Sequence, residues 1–133
     1  MLPPPTAGAV LYAANAVRLG AFYAALGGFD VLHADDKYTH LRLASFDLVV
    51  MTTEESRAAG ALLTQPPARR NDAAFKPVFY VTDLAAARAR VSALGGRLNP
   101  SSNEWRFDDF TVCDGLDIEG NLFQLRQPAG RSE

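Results

Sequence analysis

The sequence predicts an α+β fold built from two tandem βαβββ modules, and two observations carry that prediction. Leu11-Tyr12-Ala13-Ala14-Asn15, followed ten residues later by Leu26-Gly27-Gly28, recurs as Phe79-Tyr80-Val81-Thr82-Asp83 and Leu94-Gly95-Gly96, displaced by sixty-eight positions without a gap. In both copies a short strand is followed by a cap residue, Asn15 or Asp83, and then by helical spacing of apolar residues. An internal repeat of this kind indicates two copies of one small unit. At 133 residues the chain suits one compact domain made of two half-units. The expected organisation is a single domain over 1–133, with module one at about 8–51, a linker at 52–75 and module two at about 76–127.

The elements follow in order. Prolines 3 to 5 give an extended start. Ala9 to Ala13 reads as a first strand, and Asn15 can cap the helix that follows by accepting from first-turn amides. Within that helix, Ala16 to Leu26, the spacing of Leu19, Phe22 and Leu26 marks one buried face. Gly27 and Gly28 supply a left-handed stop. Phe29 to His33 and Tyr38 to Leu43 alternate on either side of Asp35-Asp36, a hairpin signal, and Asp47 to Met51 completes a three-stranded meander.

In the linker, Thr53 with Glu54 and Glu55 predicts a short helix through Leu63, ended by Pro66-Pro67. Arg69-Arg70-Asn71-Asp72 reads as a solvated loop. The second copy then begins with a strand at Pro77 to Val81. Asp83 caps a helix from Leu84 to Leu94, with Leu84, Ala87, Val91 and Leu94 inward and Arg88 and Arg90 outward. Strands at Trp105 to Phe107, Phe110 to Cys113 and Leu122 to Leu125 close it, the last entered through the tight turn Asp117-Ile118-Glu119-Gly120-Asn121.

Bulk properties exclude several classes. Net charge is −2 with acidic and basic residues interleaved, which argues against a nucleic-acid partner. No apolar run reaches the roughly twenty residues of a membrane helix. The start lacks the pattern of a secretory signal, and the single cysteine, Cys113, cannot form an internal disulfide. The expected setting is cytoplasmic.

A βαβββ module written twice, with Phe22-Tyr23 ahead of Leu26-Gly27-Gly28-Phe29, resembles the vicinal oxygen chelate superfamily of glyoxalases, extradiol dioxygenases and fosfomycin- and bleomycin-resistance proteins. Asp117-Ile118-Glu119-Gly120-Asn121-Leu122-Phe123-Gln124-Leu125 looks like its closing hairpin. The resemblance covers about residues 8 to 127 and implies an incomplete, concave barrel-like sheet with helices outside and substrate on the concave face. It also implies a divalent metal held by His or Glu from the first and last strands of each module.

Carried onto this chain, those ligand positions fall on Gly8, Val50, Lys76 and Gln124. Glycine and valine offer no ligand atom, lysine repels a cation, and only the Gln124 amide oxygen could contribute. The expectation is therefore no metal and no cofactor, and a chain leaning away from catalysis.

With a two-residue turn at Asp35-Asp36, His33 pairs with residue 38 and His40 lies diagonally, about 7–8 Å away, so the two could share a ligand. The plainer reading is two strand-edge histidines. Lys76 is either a cation inside the cleft attracting an acidic ligand or a linker-end lysine reaching solvent. Tyr12 and Tyr80 share the parity of the lost ligand positions, and either lines the concave face or packs in the core. Trp105 is an aromatic wall or a core or dimer contact. Arg42 and Gln124 are polar anchors or structurally satisfied groups. Cys113 reads as a small buried hydrophobe rather than a nucleophile.

The predicted function is metal-free binding of a small organic molecule, with Tyr12, His40, Arg42, Lys76, Tyr80, Trp105 and Gln124 as its binding residues, in a two-fold homodimer. The alternative is an enzyme of lyase, isomerase or dioxygenase type. It would use a metal relocated to His33 and His40, or a Lys76 or tyrosine proton-transfer group.

Overall fold

A computed structural model describes residues 3–60, 63, 68–69 and 73–129. The chain divides into two compact units, 1–68 and 69–133. In the first, β1 (Ala7–Tyr12) leads to α1 (Ala16–Gly27), then β2 (Asp30–Ala34), β3 (Tyr38–Leu43), β4 (Phe46–Met51) and α2 (Glu54–Gly60). The second contains β5 (Val78–Tyr80), α3 (Leu84–Ala93), β6 (Arg97–Leu98), a 3-10 turn (Ser101–Asn103), β7 (Trp105–Phe107), β8 (Phe110–Leu116) and β9 (Leu122–Pro128). The α+β class and the doubled βαβββ order are as predicted, and neither sheet closes into a barrel among the described residues.

The two sheets are built alike. The first runs β1-β4-β3-β2 and the second β5-β9-β8-β6, with β7 also pairing β8. In each, the first strand is parallel to the last, while the strands between are antiparallel. That parallel closure requires a crossover, and α1 and α3 supply it.

The repeated caps work as the sequence predicts. Asn15 Oδ1 accepts from Arg18 N at 3.0 Å, and Asp83 Oδ1 accepts from Ala85 N and Ala86 N at 2.9 and 3.2 Å. Gly28 ends α1 with φ +71°, a conformation that costs other residues strain. Leu19, Phe22, Tyr23 and Leu26 of α1 are buried, as are Leu41, Leu48 and Val50 of the sheet beneath. Each such side chain contributes about 1.5–3 kcal/mol by leaving water. In the second unit, Leu84, Ala87 and Val91 of α3 and Cys113, Phe123 and Leu125 of the sheet are buried.

Several boundaries differ from the sequence reading. β8 and β9 run three residues further, and β6 with the 3-10 turn was not predicted. A two-residue strand carries too little alternation to be seen. The linker helix is present over Glu54–Gly60. Leu63, through which it was expected to run, is not helical, while Pro66-Pro67 and Arg70-Asn71-Asp72 lie outside the described residues. Arg88, expected to point outward, instead bonds Glu104 and the Asn99 carbonyl and reaches Cys113 Sγ at 3.7 Å. Its long stem lets the charged end fold back beneath the sheet edge, which helical periodicity cannot reveal.

Candidate functional site

The register decides which side chains share the face of each sheet turned away from its helix. In the first unit, Thr39 Oγ1 donates to Ala16 O at 3.0 Å, which puts Thr39, Leu41 and their partners Val50 and Leu48 under α1. The opposite face therefore carries Tyr38, His40 and Arg42 of β3, Asp47, Val49 and Met51 of β4, and Gly8, Val10 and Tyr12 of β1. By the same alternation, the corresponding face of the second unit carries Tyr80, Phe110, Val112, Asp114, Gln124, Arg126, Trp105 and Phe107, with Val112 and Gln124 buried, and Lys76 joins it through its bond to Asp114.

This register corrects one position. Val10 pairs with Val49 as Val78 pairs with Gln124, and both Val10 and Val78 stand five residues before their helix cap. The counterpart of Gln124 is thus Val49. Val50 is fully buried against α1. A slip of one residue moves a side chain to the other face of a sheet, and sequence matching alone could not detect it.

The residues at the chelating positions do not fit a divalent cation. A Cβ at Gly8 would lie 2.8 Å from the Asp47 carbonyl oxygen, so β4 passes too close for a ligand side chain there. Val49 has no donor atom. In the second unit, Lys76 Nζ donates to Asp114 Oδ2 at 2.8 Å, Gln124 Nε2 donates to Asp114 Oδ1 at 3.1 Å, and Gln124 Oε1 accepts from Arg126 Nε at 2.8 Å. The one candidate ligand oxygen is already engaged, and the nearby carboxylates Asp47 and Asp114 are each paired with a cation.

Lys76 is accordingly not the isolated, desolvated amine that a proton-transfer role requires. Arg126 is the cation of this face without a carboxylate partner among the described residues. It donates to Tyr80 Oη at 3.2 Å and lies 4.8 Å from the Phe107 ring centroid. Tyr80 meets Phe110 edge-on at 5.2 Å, and Tyr80, Phe107 and Trp105 are all exposed. The sequence reading missed Arg126 and Phe107. Both were legible through parity, since Arg126 stands two residues beyond Gln124 and Phe107 two beyond Trp105.

In the first unit the polar residues form a different cluster. Arg42, largely buried, bonds both oxygens of Asp47 through Nε and Nη2, and its Nη1 donates to Pro3 O at 2.9 Å. That guanidinium holds the Asp47 carboxyl below its ordinary range, with a smaller contribution from His40. Asp47 in turn holds Arg42 above its usual value. His40 Nε2 lies 2.7 Å from Asp47 Oδ2. Arg42 is consumed inside the fold, and what it presents to the open face is an oriented histidine.

His33 and His40 are direct cross-strand partners rather than diagonal neighbours. The turn spans Asp35 to Tyr38, with Asp35 Oδ1 accepting from Lys37 N and Tyr38 N, and a bulge follows between Val31 and His33. Asp35 N donates to Tyr38 O at 3.0 Å, so the two-residue loop is Asp36-Lys37, one residue later than Asp35-Asp36, and that shift sets the register. Those two amides, Tyr38 foremost, and the His33 ring lower the Asp35 carboxyl to about 2. Tyr12 stands exposed on the open face of β1. Cys113 is fully buried, its Sγ donating to Asn99 O at 3.3 Å, and burial pushes its thiol up.

A cavity of about 350 Å³ in the first unit is lined by Ala14, Asn15, Val17, Arg18, Asp36 and Arg57, away from the predicted binding residues. Among the described residues, no three His, Cys, Asp or Glu side chains converge as metal ligands.

Two βαβββ units, each with a polar open face beside a parallel first and last strand, define a protein of the vicinal oxygen chelate superfamily. Solved structures of that fold match nearly the whole chain. The fosfomycin resistance protein FosX from Listeria monocytogenes is 14% identical with a TM-score of 0.64, covering 100% of this chain and 97% of that one. The same protein in complex with Mn(II) and sulfate matches at 13% identity and TM-score 0.64, covering 97% and 93%. A glyoxalase/bleomycin resistance protein/dioxygenase family enzyme from Burkholderia phytofirmans PsJN is 17% identical with a TM-score of 0.63, covering 91% and 96%. At these identities the likeness is one of fold. No curated protein matches the sequence. The chain belongs to the glyoxalase-like domain family, which matches residues 8–126.

Proposed function

We propose that this protein binds a small organic molecule carrying an acidic group and a flat apolar part, without a metal at the family's chelating positions. Arg126 carries the reading: it is a guanidinium between exposed aromatic rings, with no carboxylate to neutralise it among the described residues. Such an arginine holds a carboxylate or phosphonate through paired N–H donors, while Trp105, Phe107 and Tyr80 cover the apolar part. Lys76, balanced by Asp114, orients rather than attracts.

A homodimer fits the same reading. β2 is an edge strand on which every residue is exposed, Val31 and Leu32 included, and such edges invite pairing with a second copy.

Native mass spectrometry of protein purified without chelator, fresh from its source, tests the proposal. A co-purified organic anion that R126A fails to retain is the expected result. A stoichiometric metal, or equal retention by R126A, would overturn it.

A further inference from the structure

We propose that His40 is a proton acceptor on the open face of the first unit, with Asp47 as its positioning residue, independent of any metal. His40 Nε2 is 2.7 Å from Asp47 Oδ2, and that carboxylate is anchored from its other side by Arg42, which is fixed in turn on the Pro3 carbonyl. An ionised carboxylate can only accept, so the neutral ring carries its proton on Nε2 and leaves the Nδ1 lone pair free. Nδ1 has no hydrogen-bond partner among the described residues, and the side chain is 29% exposed. A base oriented by a third group, itself locked in place, is the arrangement that proton-transfer chemistry uses.

The groups facing His40 leave it in this role. Asp47 comes from β4 and Arg42 from its own strand, while His33 on β2 is occupied by Asp35 at 2.7 Å. The substrate class is a small molecule with a weakly acidic C–H or O–H. Its proton passes to Nδ1, the electron pair stays on the substrate, and the resulting imidazolium is balanced by Asp47.

The ring opening of 5-nitrobenzisoxazole, a flat carbon acid, reads this function directly. Loss of its ring C–H proton to Nδ1 breaks the N–O bond and releases a coloured cyanophenolate, with no other reactant needed. The wild-type protein is expected to open it about a hundredfold faster than free imidazole at equal concentration and pH, the low end of what a positioned base supplies. H40A and H40Q should fall to the imidazole level, H40Q retaining a polar side chain that can still reach Asp47 and so guarding against simple unfolding. D47N should lose at least about tenfold, because an amide no longer selects the Nε2–H tautomer, and H33A should keep the wild-type rate. ¹⁵N NMR should show neutral His40 protonated on Nε2. A wild-type rate equal to that of imidazole, an unaffected H40Q, or a proton found on Nδ1 would each overturn the assignment.

Discussion

His33 and His40 stand directly opposite one another across β2 and β3, yet each ring turns to its own carboxylate, Asp35 and Asp47, at 2.7 Å. The pair is two separate histidine–carboxylate couples. His33 stacks on Tyr38 at 4.4 Å, whereas His40 sits in the Arg42–Asp47 cluster.

Those carboxylates set the acid limb of stability. Asp35 and Asp47 are both held below the unfolded value of about 3.9. Their stabilisation is therefore complete above about pH 4 and is lost as pH falls through the folded values. For Asp35 that window runs down to about 2. Urea midpoints measured between pH 2 and 6 should decline on the acid side. D35N and D47N should each flatten the decline, and a slope unchanged in both variants would contradict this account.

Gly20 and Gly115 are required by close packing. A Cβ on Gly20 would meet the Thr39 side chain at 2.6 Å, and one on Gly115 would meet the Phe123 ring at 2.6 Å and the Arg97 carbonyl at 2.9 Å. Each alanine variant should cost about 1–3 kcal/mol, as overpacking does. G115A should cost the more, because a strand carbonyl cannot rotate aside. Chemical denaturation of the two variants checks both size and order.

Lys76 stabilises rather than recruits. Lys76→Met leaves Asp114 with only the Gln124 amide. The loss should be about 1 kcal/mol, since the pair is partly exposed. Affinity for an anionic ligand should fall far more in R126A than in K76M. Calorimetric titration of both variants with the co-purified molecule decides between the two cations.

Cys113 should be inert in the folded protein. Buried, with a thiol pushed up, it presents little thiolate to a disulfide reagent. Labelling with Ellman's reagent should be at least about a hundredfold slower in buffer than in denaturant. Rapid labelling of the native chain would contradict the burial.

The sequence by itself determined the architecture. The repeat, the paired caps Asn15 and Asp83 and the Gly28 stop are local signals, each acting within a few residues along the chain, and all appear where predicted. It also marked Gly8 and Lys76 as positions that cannot grip a cation, because that follows from side-chain chemistry alone. Only the tertiary structure decided the partners. Whether His40 meets His33 or Asp47, whether Val49 or Val50 faces outward, and whether Lys76 is free or bound to Asp114 depend on strand register and on residues tens of positions apart. Register is set cooperatively by a bulge, a turn and the burial of a whole sheet face, so no short stretch of sequence contains it.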